Sequence, residues 1–99
     1  MINPITLYQW AKRRFGKSKC LKVVYHNNKH SYYGEYDFEK RVIRLNLRYI
    51  QSYGTLYRTM AHEWTHAQQS EYRYYKLLKE YGYKNHPYEI MARNREKKV

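Results

Sequence analysis

Residues 55–67 read TLYRTMAHEWTHA, and their spacing is typical of a helix with two different faces. In a projection at about 100° per residue, the large apolar side chains of this stretch fall on one side. These apolar residues are Leu56, Met60, Trp64 and Ala67. The ionisable side chains of His62, Glu63 and His66 fall on the opposite side. The stretch therefore predicts a helix that buries its apolar face in a core and turns its polar face toward a cleft.

The polar face carries the pattern His62-Glu63-Trp64-Thr65-His66, with two histidines four residues apart. Residues at that spacing lie one above the other on a helix, so both imidazoles can bind a single zinc ion at about 2.0–2.1 Å. Glu63 is one position round the helix, close enough to reach a water held by the metal but badly placed as a third ligand. A carboxylate beside such a water can act as a general base. The pattern predicts two ligands and a base.

Hydrolytic zinc sites usually have three protein ligands, and a later segment offers two candidates for the third. Glu89 is in the first turn of a helix predicted to begin at His86-Pro87, where Ala92 on the same face would permit a close approach. His86 is the rival, because its direction is less constrained before the helix. Glu89 could instead fold back on the His86 amide as a capping-box carboxylate. The motif specifies two ligands only, so Glu89, His86 and neither of them all stay open.

Three segments before this helix have the β-branched and aromatic composition of strands. They are residues 21–25, 31–38 and 41–47. The short Glu39-Lys40 link predicts that the second and third strands form a hairpin. Gly34, inside the second strand, predicts a bulge or a close approach of neighbouring backbone.

Capping signals predict where the helices begin and end. Asn3-Pro4 starts an N-terminal helix, and Gly16 ends it. Thr55 is the predicted N-cap of the helix that carries the two histidines. Residues 70–81 either continue that helix or start another, and Gly82 interrupts them.

The 99 residues include 20 Lys and Arg against 8 Asp and Glu, a net charge of +12. The basic residues cluster in segments 12–22, 41–48 and 93–98, a distribution that favours contact with nucleic acid or acidic proteins but also suits a merely soluble protein. Cys20 is the single cysteine, so no internal disulfide can form. Signal-peptide and membrane-span patterns are absent from the sequence. We therefore expect one domain, residues 1–99, that is cytoplasmic and makes no membrane contact.

With its two histidines and the downstream segment HPYEIMA, the chain resembles the short gluzincin branch of zinc metallopeptidases. The stretches YGEY and RVIRLN are similar to the strand pair before the active-site helix of that family, and the resemblance covers residues 32–96. It implies that His62, His66 and Glu89 bind Zn²⁺ and that Glu63 activates the water. It also implies that residues 32–37 form the sheet edge along which a peptide substrate pairs. The substrate-binding residues are then Tyr33, Gly34, Glu35 and Tyr36.

The SprT-like metallopeptidases are a second resemblance, because they use a third histidine and several act on DNA-bound proteins. His86 and the basic charge are the features that favour it. The residue that larger relatives use to stabilise the oxyanion is not identifiable from the sequence. Tyr81, Tyr83 and Tyr88 are candidates through their position in the chain alone.

These observations predict a minimal zincin-like α+β domain. It consists of an N-terminal helix, a three-stranded sheet with a hairpin, an active-site helix and a C-terminal helix. The expected activity is zinc-dependent hydrolysis of peptide bonds in a peptide or protein substrate, with Glu63 as the general base. The alternative is a basic nucleic-acid- or protein-binding module or inhibitor, in which zinc is structural or catalytically inactive. In that alternative both His86 and Glu89 would complete a closed site of four ligands.

Overall fold

The computed structural model describes residues 2–99, within which four helices and a three-stranded sheet form an α+β domain. In chain order the elements are α1 (Pro4–Phe15), β1 (Lys22–His26), β2 (Gly34–Asp37), β3 (Val42–Asn46), α2 (Tyr53–Ala67), α3 (Glu71–Tyr81) and α4 (Pro87–Glu96). None of these helices, within residues 2–99, has the length and apolar composition that a membrane-spanning segment needs. The predicted α+β class is confirmed.

The sheet has the order β1-β3-β2, so that β3 is central and β2 lies at an edge. β1 runs parallel to β3, and β2 runs antiparallel to it. The predicted hairpin between β2 and β3 is confirmed, and in its turn the backbone N–H of Arg41 donates to the carbonyl of Asp37 at 2.7 Å. β2 is shorter than predicted, because residues 28–31 form a turn in which the Asn28 side chain accepts from the N–H of His30.

The core lies between the sheet, α1 and the apolar face of α2. The apolar residues predicted on that face, Leu56, Met60, Trp64 and Ala67, are all fully buried. The Trp64 ring contacts Tyr8 of α1 edge-on, with centroids 5.3 Å apart, and its Nε1 donates to the carbonyl of Gly16 at 3.0 Å. Ile43 and Leu45 of β3 complete the packing. The predicted division of α2 into a buried apolar face and a polar face is therefore confirmed.

The predicted capping residues are confirmed at α1 but not at α2. The side chain of Asn3 accepts from the N–H of Ile5, and Gly16 ends α1 with a φ of 88°. α2 begins earlier than predicted, because Ser52 has the extended backbone of an N-cap and its Oγ accepts from the N–H of Thr55 at 3.2 Å. The prediction of Thr55 as N-cap is therefore wrong.

Residues 70–81 form a separate helix rather than a continuation of α2. Ser70 is the N-cap of α3, and its side chain accepts from the N–H of Arg73. Gly82 ends α3 with a φ of 73°, as the sequence predicts. After the break, α3 packs against α4, and its Tyr74 ring lies 5.3 Å from the ring of His66 on α2.

Candidate metal centre

Three side-chain atoms that carry lone pairs meet between α2 and α4. His62 Nε2 and His66 Nε2 lie 3.2 Å apart, and Glu89 Oε1 lies 3.1 Å from the first and 3.0 Å from the second. Ligands of a tetrahedral zinc ion with bonds near 2.0 Å lie about 3.3 Å from one another. The three atoms therefore have the spacing and the chemistry of three corners of a zinc site.

The structure brings Glu89 to the histidines, whereas His86 is occupied elsewhere. His86 is the N-cap of α4, where its Nδ1 accepts from the N–H of Tyr88 at 3.0 Å and its Nε2 donates to the carbonyl of Tyr74 at 2.7 Å. Both ring nitrogens are thus used, and the side chain is fully buried. Glu89 does not form the capping box, since its carboxylate faces His62 and His66 instead. Ala92 is fully buried on the same helix.

The tautomer of His66 leaves Nε2 free to bind a metal. Gln69 Nε2 donates to the carbonyl of Tyr88 at 3.1 Å, which orients the amide so that its Oε1 faces His66. That oxygen lies 2.7 Å from His66 Nδ1 and can only accept a hydrogen bond. The proton of the neutral imidazole is therefore on Nδ1, and the lone pair on Nε2 points toward His62 and Glu89.

Glu89 is held as an ionised carboxylate with its two oxygens in different environments. Burial alone raises its pKa, but the neighbouring side chains of His62, His66 and Tyr74 outweigh burial and hold the pKa well below its usual range. The Tyr74 hydroxyl donates to Oε2, while Oε1 faces the histidines. One oxygen is thus available as a ligand, and the other is engaged by α3.

His62 has a second carboxylate near its other ring nitrogen. Glu96 lies two turns after Glu89 on α4, and its Oε1 is 3.3 Å from His62 Nδ1, a charge contact that does not meet the geometry of a hydrogen bond. Burial lowers the pKa of His62, but the carboxylates of Glu89, Glu63 and Glu96 outweigh it and raise the pKa above its ordinary value. A carboxylate on the far nitrogen of a metal-binding histidine orients the ring and increases its basicity.

Glu63 lies beside this cluster and is almost fully buried, with 7% of its surface exposed. Burial raises the pKa of its carboxyl to about 7, even though the neighbouring His62 and His66 act to lower it. A carboxyl with a pKa near neutrality can both take up and release a proton at physiological pH. The role of Glu63 as a general base stays a prediction.

A cleft of about 1090 Å³ opens in front of these residues, between β2 on one side and α3 on the other. Its wall along β2 includes the predicted substrate-binding residues Tyr33, Gly34, Glu35 and Tyr36. β2 is a sheet edge, so its outer backbone groups can pair with an extended chain. The close approach at Gly34 involves side chains rather than the neighbouring backbone that the sequence predicts, because an added Cβ would lie 2.7 Å from Thr59 Cγ2 and 3.3 Å from Glu63 Cγ.

Three residues that contact the candidate ligands are not predicted by the sequence analysis. They are Gln69, Tyr74 and Glu96. The spacing of seven residues between Glu89 and Glu96 is a signal that both face the same way on α4. The sequence contains no such signal for Tyr74, because tertiary packing determines the orientation of its helix, α3. Of the three tyrosines predicted near the oxyanion, Tyr83 lines the cleft within residues 2–99.

Comparisons of the chain with protein-family models, with curated proteins and with solved structures gave no match. Within residues 2–99, the group that could hold a metal ion consists of His62, His66 and Glu89. The chemistry of these donors, two imidazoles and one carboxylate, fits zinc better than magnesium or calcium, which prefer oxygen ligands only.

Proposed function

We propose that the protein is a zinc-dependent peptidase. The observation that carries the proposal is the meeting of His62 Nε2, His66 Nε2 and Glu89 Oε1 within 3.2 Å of one another, beside the buried Glu63. The site opens into a cleft bounded by an edge strand, which suits an extended peptide. Three protein ligands leave a coordination position open, which is the arrangement of catalytic rather than structural zinc sites.

In this proposal each residue has one role. His62, His66 and Glu89 hold the ion, which when bound polarises a substrate carbonyl and lowers the pKa of water to about 7. Glu63 takes a proton from the attacking water and passes it to the leaving amine. The backbone of β2 pairs with the peptide and holds the scissile bond over Glu63. The geometry of His86 argues against the alternative of four protein ligands, because its ring nitrogens are already bonded.

The test compares two changes at the site in purified protein. Glu63→Gln should keep zinc at one ion per chain, since the amide removes the base but no ligand. It should lower hydrolysis of a quenched-fluorescence peptide mixture by at least about 100-fold. Glu89→Ala should lose zinc, whereas His86→Ala should lose helix stability without a direct loss of a ligand. Undiminished hydrolysis by Glu63→Gln would refute the mechanism.

A separate observation supports nucleic acid as a partner. Basic segment 12–22 contacts both of the other basic segments, and the basic residues at and between these contacts are together named the basic face. They are Arg14, Lys17, Lys19, Arg41, Arg95 and Lys98. Arg14 donates to the carbonyl of Lys98 at 3.3 Å, and Arg41 donates to that of Lys19 at 3.0 Å. Residues 1–34 contain no acidic side chain, and Arg44 is the single Lys or Arg within residues 2–99 in an ion pair with a carboxylate. The basic face therefore carries charge that phosphates can neutralise.

This second proposal predicts binding to duplex DNA that weakens steeply with salt. The logarithm of the binding constant should fall with the logarithm of salt concentration by about 0.9 for each phosphate contacted. Lys17→Glu with Lys98→Glu should weaken binding at least about tenfold and make the slope shallower. The matched control is Lys76→Glu with Lys79→Glu on α3, which makes the same charge change on exposed side chains outside the basic face. An equal loss in both variants would show attraction to net charge only.

A further inference from the structure

The cleft contains one strongly basic side chain. Within residues 2–99, Arg58 is the single Lys or Arg that lines it, although the chain has 20 such residues. Four acidic side chains line the cleft, and none of them pairs with Arg58. Glu35 pairs with Arg44 at 3.3 Å, and Glu89 and Glu96 face the histidines, beside which Glu63 is buried. Arg58 itself is exposed and forms no ion pair with a carboxylate of the described residues. Its charge is therefore available to a bound molecule.

The guanidinium of Arg58 has a defined position over the first turn of α2. Its Nη2 lies 3.5 Å from Thr55 Oγ1, at the limit of a hydrogen bond. Gly54 provides space for the group, because an added Cβ there would lie 3.0 Å from Nη1. The hydrogen bond to Thr55 uses one of its five N–H donors. The remaining donors can form a two-pronged pair with a carboxylate.

The far side of the cleft is aromatic. Phe38, Tyr74 and Tyr75 form a cluster with ring centroids 5.5–6.0 Å apart. The Tyr74 ring lies 5.3 Å from the ring of His66. Arg58 and His66 are eight residues apart on α2, about 12 Å along the helix axis. The cationic end and the aromatic end of the cleft thus lie on either side of Glu63.

We propose that the cleft selects peptides with a carboxylate on one side of the scissile bond and an aromatic or large apolar side chain on the other. This inference rests on the proposed peptidase function and names its substrate class. Arg58 binds the carboxylate, and the cluster of Phe38, Tyr74 and Tyr75 receives the apolar side chain. The net charge of +12 attracts such acidic peptides toward the protein before they bind. The carboxylate belongs either to an Asp or Glu side chain or to the end of the peptide.

The experiment uses zinc-loaded protein and matched ten-residue peptides that contain one Phe and, a few positions away, either Glu or Gln. Each peptide is made with a free or an amidated C-terminus, which separates the two sources of the carboxylate. The variants are Arg58→Gln and the control Arg13→Gln, an exposed arginine of α1 outside the cleft. Both variants remove one positive charge from a helix surface. Circular dichroism and the melting temperature verify that each is folded.

The wild type should prefer the carboxylate peptide over its amide by about ten- to a hundredfold in kcat/KM, the range of a charge-assisted hydrogen bond. Arg58→Gln should reduce this preference to within about twofold, and Arg13→Gln should keep it. A preference that survives in Arg58→Gln, or is lost equally in both variants, overturns the inference. A preference for the free C-terminus alone assigns the carboxylate to the end of the peptide.

Failure of the peptidase proposal is distinguishable from failure of this inference. If the wild type cleaves none of the peptides, the proposed hydrolysis fails. The same fluorescently labelled peptides are then titrated into zinc-loaded Glu63→Gln and Glu63→Gln/Arg58→Gln, with binding measured by anisotropy. Tighter binding of the carboxylate peptide by the first variant alone supports the role of Arg58. Equal binding of both peptides by both variants refutes it.

Discussion

At the scale of single residues, the lone pair on His66 Nε2, which is proposed to bind zinc, depends on the amide of Gln69. That amide accepts from His66 Nδ1 at 2.7 Å and is itself oriented by the Tyr88 carbonyl at 3.1 Å. Without it, the imidazole can place its proton on Nε2 and can rotate away from His62. Partners of this kind contribute about ten- to a hundredfold to metal affinity.

Gln69→Ala should therefore weaken zinc binding by about ten- to a hundredfold while leaving all three ligands in place. Competition with a zinc-binding dye measures the affinity. The control is Gln68→Ala, since the adjacent Gln68 donates to the carbonyls of Phe15 and Lys17 at 2.9 Å and contacts no ligand. That variant should lose stability and keep its zinc affinity. If both variants bind zinc as the wild type does, the tautomer argument is wrong.

Residues that act through another residue are hard to predict from a sequence. His62, Glu63 and His66 are separated by less than two turns of one helix, so helix geometry alone brings them together. Tyr74 reaches Glu89 because a new helix, α3, begins after Ser70 and packs against α4. The direction of α3 depends on tertiary packing, and the local sequence contains no period that encodes it.

At the scale of elements, the closest approach in the site is between β2 and α2. Gly34 lies against Thr59, and a Cβ at that position would be 2.7 Å from Thr59 Cγ2 and 3.1 Å from Leu45 Cδ2. A Cβ contact of 2.7 Å is too short, so either the Thr59 side chain or the edge strand would have to move. Movement of the strand would change the position of β2 relative to Glu63, whose Cγ lies 3.3 Å from the same point.

Gly34→Ala should lower the free energy of unfolding by about 1–3 kcal/mol, the usual cost of overpacking. Thr59→Ser removes Cγ2, so in the Gly34→Ala background it should restore part of the loss, while alone it should destabilise slightly. Urea denaturation of the wild type, both single variants and the double variant measures the coupling between the two positions. Strictly additive changes would mean that Thr59 Cγ2 is not the obstacle.

The elements that the sequence predicts best are those with local causes. The apolar spacing of α2, the capping of α1 by Asn3 and Gly16, and the hairpin of β2 and β3 all follow from neighbouring residues. The predicted N-cap of α2 is three residues too late. Ser52 and Thr55 are equally suitable as caps by residue type, and the extended backbone at Ser52 makes it the N-cap. β1 pairs in parallel with β3, and the local sequence of these two segments contains no signal for that pairing or its register.

At the scale of the whole molecule, the three candidate ligand atoms come from two helices that are far apart in the chain. His62 Nε2, His66 Nε2 and Glu89 Oε1 lie 3.0–3.2 Å apart, an arrangement that a bound cation or imidazole protons must stabilise. Because Glu89 belongs to α4 and both histidines belong to α2, an ion here joins the C-terminal helix to the core. Binding energy at such a site adds to the stability of the folded chain.

Chelation should therefore lower the melting temperature of the whole domain. Zinc at about 100 times its Kd stabilises the folded state by about 2.7 kcal/mol, and each kcal/mol shifts the melting temperature of a domain this size by about 4–8 °C. Removal of zinc with EDTA should lower the melting temperature by about 10–20 °C, and zinc but not magnesium should restore it. In the control variant His62→Ala/His66→Ala, EDTA should have no effect. A wild-type melting temperature that EDTA leaves unchanged would contradict a zinc site between α2 and α4.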